Sequence, residues 1–303
     1  MLCRMGSRKL SLGGIDVVVF FEGDLGRKLS TLGGLLSRRS HANTEHLAPM
    51  ARDPDAGGNA ELLERVNAIE WYHTIDLGNG VVTPGWFDLR NEVHRYPIPE
   101  RLDGKRVLDV ASFDGFWAFE FAKRGAAEVI ALDIDSFAEV DMSPRMRRQK
   151  SPEYLARKTG EGFRLCQEIL QLPVRREVCN VYDLSPERLG MFDMVFVSDL
   201  LLHLMNPMKA LHNIASVTRG DAIIADVYDA GLPEKDTLMR YLGGEVHNTW
   251  WAMSFGALEK IVQDAGFSSV QLTNRFMTGY RDQPAVLPHA TFRAKASLEG
   301  RGN

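Results

Sequence analysis

Three aspartates stand where a carboxylate can hold a ligand rich in hydroxyl and amino groups: Asp109 in VLDV, Asp133 in VIALDID and Asp183 in CNVYDL. Each ends or closes a run of aliphatic and β-branched residues, so each belongs near the carboxyl end of a buried strand. Asp133 lies 24 residues after Asp109, the separation at which a carboxylate ending a second strand accepts hydrogen bonds from ribose hydroxyls. Asp183 is then placed to accept from an adenine amino group, and Asp109 to face the other end of the same ligand. Singly, each reads equally well as a helix cap or turn residue. Three in register across successive strands point to an adenosine-containing ligand.

The turn after Asp109 narrows the choice. A dinucleotide site needs G-x-G-x-x-G, because backbone amides must close on a pyrophosphate at a helix N-terminus. Here the stretch is Ala111-Ser112-Phe113-Asp114-Gly115, with one glycine. A phosphate-free adenosine ligand relaxes that demand, and S-adenosylmethionine is such a ligand; a nicotinamide-dependent oxidoreductase is the weaker reading. Histidines are the side chains that can move a proton near neutral pH. His203, in LLLHLMNP, falls just beyond a strand and is the first candidate base, with a packed histidine beside the Asn206-Pro207 turn as the plain alternative. His73 and Tyr72, upstream of the strands, can approach from the opposite side. Tyr72, Trp86 and Tyr228 are expected to wall a substrate pocket, with Asp226 near them, although such aromatics also serve as core. Cys166 and Cys179 lie on apolar faces and are poor nucleophiles.

These residues need a scaffold. Strands are expected at Arg106 to Ala111, Glu128 to Asp133, Glu177 to Tyr182, Met194 to Ser198, Ala222 to Val227, Val270 to Asn274 and Ala290 to Ala294. Helices are expected around Phe116 to Arg124, Gly162 to Leu170, Pro207 to Val217 and Ser254 to Ala265. The alternation implies an α/β, Rossmann-like, doubly wound and mostly parallel seven-stranded sheet, in which ligands bind beyond the carboxyl ends of the strands. Ahead of it, AELLERVNAI carries Leu62, Leu63, Val66 and Ile69 at helical spacing. WYHTIDLGNGVVTPGWFDLR then adds turn signals at Asn79-Gly80 and Pro84-Gly85, the marks of a folded N-terminal cap. The expected division is a poorly ordered extension over residues 1–59, a cap over 60–104, the main domain over 105–296 and a tail over 297–303. Met50 is a plausible true start of translation.

Composition sets outer bounds. A chain of 303 residues, 45% hydrophobic with a formal charge of −4, buries one sizeable core and has no overall pull toward nucleic acid or anionic membranes. Three widely spaced cysteines suit neither a disulfide framework nor a zinc site, so a reducing cytoplasm is the expected location. The longest apolar run, Val17 to Phe21, is far too short to span a bilayer, and no membrane partner is expected. No carboxylate and histidine grouping calls for a metal; the oligomeric state is left open.

VLDVASFDGFWAFEFAKRGAAEVIALDID, followed by FDMVFVSDLLLHLMNP and WWAMSFGALEKIVQDAGF, resembles the class I S-adenosylmethionine-dependent methyltransferases. WYHTIDLGNGVVTPGWFDLR further resembles the branch related to tRNA wobble-uridine (5-oxyacetate or 5-methoxy) methyltransferases. The resemblance covers roughly Glu70 to Phe292. It implies that Asp109, Ser112 and Gly115 line the methionine end of the cofactor, Asp133 the ribose, and Asp183 with Val181 or Tyr182 the adenine, with Phe113 and Ile134 also among the cofactor-binding residues. Asp199 would border the methyl-donor site. That pattern usually has glycine where this chain has Ala111 and Phe113.

Two further observations bear on the acceptor. Arg145 to Arg176 holds nine Lys or Arg against three acids, a stretch that can grip tRNA phosphates or can simply be solvated surface. A carboxylated cofactor would need a cation in the cap, and between Trp71 and Pro99 only Arg90 and Arg95 are present. Ordinary S-adenosylmethionine and O-methylation of a small hydroxylated metabolite are therefore expected, with tRNA wobble uridine as the second substrate reading. A non-catalytic S-adenosylmethionine-binding protein is a third possibility.

Overall fold

The computed structural model describes residues 59–244 and 248–297, together with the backbone of two antiparallel strands, β1 (Gly6–Leu12) and β2 (Ile15–Phe21). Apart from that pair, the expectations for residues 1–58, including Met50 and Cys3, and for the tail from 298 lie outside the described residues.

The centre is a seven-stranded sheet in the order β12-β13-β9-β8-β5-β6-β7. Its strands are β5 (Arg106–Val110), β6 (Glu128–Asp133), β7 (Val174–Val178), β8 (Phe192–Ser198), β9 (Thr218–Val227), β12 (Ser269–Gly279) and β13 (Val286–Lys295), while β10 (Met239–Tyr241) and β11 (Trp251–Met253) pair apart from it and a one-turn helix, α6 (Pro186–Leu189), precedes β8. β13 runs antiparallel to both neighbours, and the pairings from β9 across to β7 are parallel. Successive residues of the inner strands feed opposite faces, as the pleat requires. Val107, Val129, Met194 and Phe196 join one core with α2 (Phe116–Lys123) and α5 (Glu161–Leu170). Leu108, Ile130, Val195 and Val197 join another with α7 (Pro207–Val217) and α8 (Phe255–Gln263). The sheet is therefore doubly wound, and its connections reverse direction between β5 and β8, which places the expected ligand crevice beyond their carboxyl ends.

Residues 59–104 close over one side of this crevice. α1 (Ala60–Asn67) buries Val66, and β3 (Asp76–Gly78) and β4 (Val81–Val82) form a short hairpin. Its Asn79-Gly80 corner has φ of 50° and 77°, the left-handed pair such a two-residue turn requires. Trp71, Ile75, Leu77, Phe87 and Tyr96 share the core of α2 and the sheet.

The third strand differs from expectation: it is Val174–Val178, and the following residues leave the sheet. Asn180 caps a 3₁₀ turn over Val181–Asp183, its side chain accepting from Tyr182 N at 3.0 Å. The β-branched look of NVY masked that Asx signal. The last two strands are also longer, at 11 and 10 residues. Two short helices, α3 (Pro144–Arg148) and α4 (Pro152–Ala156), occupy the basic stretch, each with Ser as N-cap and Pro first.

Candidate functional site

The turn from β5 into α2 is wound as a glycine-rich loop would be, without the glycines. Ala111, Phe113 and Gly115 have φ of 60°, 49° and 88°. A left-handed conformation costs a non-glycine residue about 1–2 kcal/mol, so the surroundings must hold it, and two carboxylates do. Asp133 at the end of β6 accepts from Phe113 N at 2.6 Å and Ile134 N at 2.7 Å. Asp114 accepts from Tyr72 N at 3.0 Å, His73 N at 2.7 Å and His73 Nδ1 at 2.5 Å. At Gly115 no side chain fits, because a Cβ would stand 2.6 Å from the Phe163 ring.

The same turn carries buried polar atoms with no protein partner. Asp109, 2% exposed, has a bare Oδ2, and beside it Ser112 has a bare Oγ. Burial pushes the Asp109 carboxyl well above its ordinary range, against a hydrogen bond from Ala118 N–H. Burial also lifts Asp133 to about 6, opposed by the amides of Phe113 and Ile134 and by Arg176. These orphaned atoms and an under-committed carboxylate suit the amino-acid and ribose ends of S-adenosylmethionine. Asp183 does not join them: it is exposed on the 3₁₀ turn beyond β7. Neighbouring Tyr182 donates its hydroxyl to Asp141 at 2.6 Å.

Across the crevice, Asp199 follows β8 with φ 54°, another strained position at a strand end. Its Oδ1 lies 2.8 Å from His289 Nε2, and Ser198 Oγ donates to its Oδ2 at 2.9 Å. His289, on β13, places Nδ1 2.9 Å from the Leu287 carbonyl and stacks on Phe276. Burial by itself would raise Asp199 and lower His289; their mutual attraction reverses both, leaving Asp199 below the usual carboxylate range and His289 above the usual imidazole value. Asp226, fully buried at the end of β9, accepts from Leu201 N and Val227 N at 2.7 and 2.8 Å. Burial and then the Asp199 charge push it up to about 8. Tyr72, Tyr96 and Tyr280 are all raised, by burial first and by the field of Asp199 next.

The remaining candidates divide. Tyr72 stands on the aromatic wall, 5.9 Å from the Phe113 ring, and Trp86, 42% exposed, forms its rim. His73 is buried, bound to Asp114 and stacked on Phe116, so it fastens the cap rather than facing the crevice. His203 lies in the 3₁₀ turn after β8 with Nδ1 3.2 Å from Asn248 O, and its charge favours ionised Asp199. Tyr228 is turned to the outer side, where Arg275 donates to its hydroxyl at 2.9 Å and lies over its ring. His289 was not among the residues singled out from sequence. It follows Pro288 in a stretch without clear alternation, and its partner is 90 residues away.

The basic stretch is paired only in part within the chain, and three of its nine cations share the single carboxylate of Asp135. Arg157 pairs with Glu70, Lys158, Arg164 and Arg176 with Asp135, and Arg175 with Glu177. In the cap, Arg90 is held by Asp88, and Arg95 by Glu92 and the Met277 carbonyl. Among the described residues no helix is long and apolar enough to cross a membrane.

Comparison with known proteins matches residues 108–225 to a methyltransferase domain. The tRNA U34 carboxymethyltransferase of Ectopseudomonas mendocina (strain ymp) is 25% identical over 187 residues, covering 61% of this chain and 52% of that protein. The tRNA U34 carboxymethyltransferase of Pseudomonas aeruginosa (strain LESB58) is 26% identical over 192 residues, covering 60% and 51%. The chain thus spans about half the length of the curated relatives it matches. The N-terminal domain of EvdMO1, solved with SAH bound, superimposes with a TM-score of 0.52 at 16% identity, over 78% of this chain and 96% of that one. That likeness is one of fold.

Proposed function

Residues 108–225 are a class I S-adenosylmethionine-dependent methyltransferase domain, and on that premise we propose that the chain methylates a hydroxyl of a small metabolite. The observation that carries this reading is the acceptor side of the crevice: a carboxylate, Asp199, whose field reaches Tyr72, Tyr96 and Tyr280, under a cap in which Arg90 and Arg95 are both paired. Such a recess suits an uncharged hydroxylated compound. With Arg90 and Arg95 both paired, ordinary S-adenosylmethionine is favoured over a carboxylated cofactor.

When bound, S-adenosylmethionine supplies a methyl group already activated by its sulfonium. Asp133 is positioned to accept from ribose hydroxyls, and Asp109 and Ser112 to meet the amino-acid end. The cap excludes water and aligns the acceptor, which is the main demand of an in-line displacement. The relatives named above support a second reading, modification of tRNA U34. The basic stretch is compatible with that reading, because three of its cations share one carboxylate, Asp135, and positive charge is left over for phosphates.

The two readings separate in one experiment. Methyl-labelled S-adenosylmethionine is incubated with the protein and whole-cell extract, and label is counted in RNA and in organic-extractable metabolites, with Asp133→Ala as control. Asp133-dependent label in the organic fraction is expected. Label confined to RNA would replace the metabolite reading with the tRNA one.

A further inference from the structure

The hydrogen-bond chain through β13 narrows the charge states open to His289. Both partners of His289, the Asp199 carboxylate and the Leu287 carbonyl, are acceptors. Nδ1 therefore carries a proton, a second proton lies between Nε2 and the Asp199 carboxyl, and the attraction of the two charges holds it on the ring, so that His289 is an imidazolium facing an ionised Asp199. Only one member of the pair reaches the crevice: the His289 side chain is 2% exposed, that of Asp199 19%. The ion pair is thus built with its positive end inside and its negative end toward the acceptor, on a backbone held at φ 54°.

Resting on the methyl-transfer reading, we propose that Asp199 is the catalytic residue that takes the acceptor's proton and that His289 is the positioning residue that keeps Asp199 ionised and aimed. In the step, the acceptor oxygen forms its bond to the methyl carbon as the methyl–sulfur bond breaks, and sulfur keeps that electron pair. The hydroxyl proton passes to Asp199. A carboxylate suffices as base here because a hydroxyl oxygen gaining a methyl group becomes strongly acidic as the bond forms, so no prior ionisation is needed. A fixed negative charge at this point also repels acceptors that are already anionic. The substrate class is therefore an uncharged hydroxyl, not a phenolate or a carboxylate.

Other titratable groups around the pair are Asp226 from β9, His203 from the turn after β8, Tyr72 and Tyr96 from residues 59–104, and Tyr280 after β12. Asp226 is buried beneath Asp199 with both oxygens on backbone amides, which leaves Asp199 as the carboxylate facing the acceptor.

The test has two arms. In the first, ¹⁵N-histidine-labelled protein saturated with S-adenosylhomocysteine is followed by NMR, with His289 assigned by comparison with His289→Gln. Both ring nitrogens of His289 are expected to stay protonated up to pH 8 and to lose that protection in Asp199→Asn; a neutral ring at pH 7 in the unmodified protein overturns the proposal without reference to turnover. In the second, label transfer from methyl-labelled S-adenosylmethionine to extract metabolites is measured against pH. Asp199→Asn is expected to lower it by about a hundredfold or more. His289→Gln, which keeps a hydrogen bond but loses the charge, is expected to move the acid limb up by about 1–3 pH units. A uniform fall with an unmoved limb would mean that His289 is only structural, and near-full transfer by Asp199→Asn would remove the base. Absence of label with the unmodified protein would overturn the methyl-transfer reading itself, and the base role with it.

Discussion

Replacing Asp114 tests how the cap is fastened to the cofactor turn. Its carboxylate accepts from two backbone amides and one imidazole N–H of the cap, and it is 2% exposed. Asp114→Ala leaves the buried His73 amide without an acceptor, the half-buried Tyr72 amide nearly so, and His73 Nδ1 unpaired in an apolar setting. A buried donor left unsatisfied costs about 1–3 kcal/mol. Taking the low end for Tyr72, the loss should be about 3–5 kcal/mol, a large share of the about 5–15 kcal/mol that holds a typical domain together. Asp114→Asn retains one oxygen for the two amides and gives up only the imidazole bond, so it should lose about 1 kcal/mol. Urea unfolding with the slope unchanged measures both values. An alanine variant within about 0.5 kcal/mol of the unmodified protein, or an asparagine variant as damaged as the alanine one, would refute this account of the cap.

Three other outcomes follow from the same geometry. Gly85→Ala should destabilise by about 2–3 kcal/mol, because the new Cβ would stand 2.0 Å from the His73 carbonyl carbon and backbone cannot step aside; a thermal midpoint equal to the parent's would show that the approach is looser than drawn. Ala111→Gly should stabilise by about 1 kcal/mol by relieving a left-handed alanine, and denaturant titration would expose the opposite sign. Asp226 stays protonated in the folded state up to about 8 whereas the unfolded chain ionises near the ordinary carboxylate value. Its stabilising contribution is thus full below about 4 and is lost as pH rises toward 8. Unfolding measured from pH 5 to 9 should therefore show the stability gap between the parent and Asp226→Asn moving in the variant's favour as pH rises; a constant gap contradicts the raised carboxyl.

Much of this was legible in the sequence, and the failures have physical causes. β5, β6 and β8 are buried on both faces and announce themselves as short apolar runs; α7 begins at an Asn-Pro cap that can be read by eye, with Asn206 accepting from Lys209 N. The aspartates Asp109 and Asp133 fell at strand ends where the turn is, because strand length and register fix them together. Asp183 was expected to end the third strand and lies on a 3₁₀ turn past it, because Asn180 diverts the chain, a side-chain effect that apolar patterning ignores. The last two strands were seen short: β12, at the sheet's edge, is exposed along much of its length and β13 contains Pro288, so neither shows a clean alternation. The Asp199–His289 pair belongs to no local pattern, since only the antiparallel β13 beside β9 brings its halves together. Asp114 was readable as one acid in a turn but not as the anchor of a segment 41 residues earlier.

The central claim, a cofactor held at the β5 turn by Asp133, is tested most directly by calorimetric titration of the unmodified protein and Asp133→Ala with S-adenosylhomocysteine, with NAD titrated alongside. The account predicts saturable binding of S-adenosylhomocysteine, none of NAD, and a loss of about 1–3 kcal/mol in affinity on removing the carboxylate. Equal affinity in the two proteins, or binding of NAD instead, would contradict it.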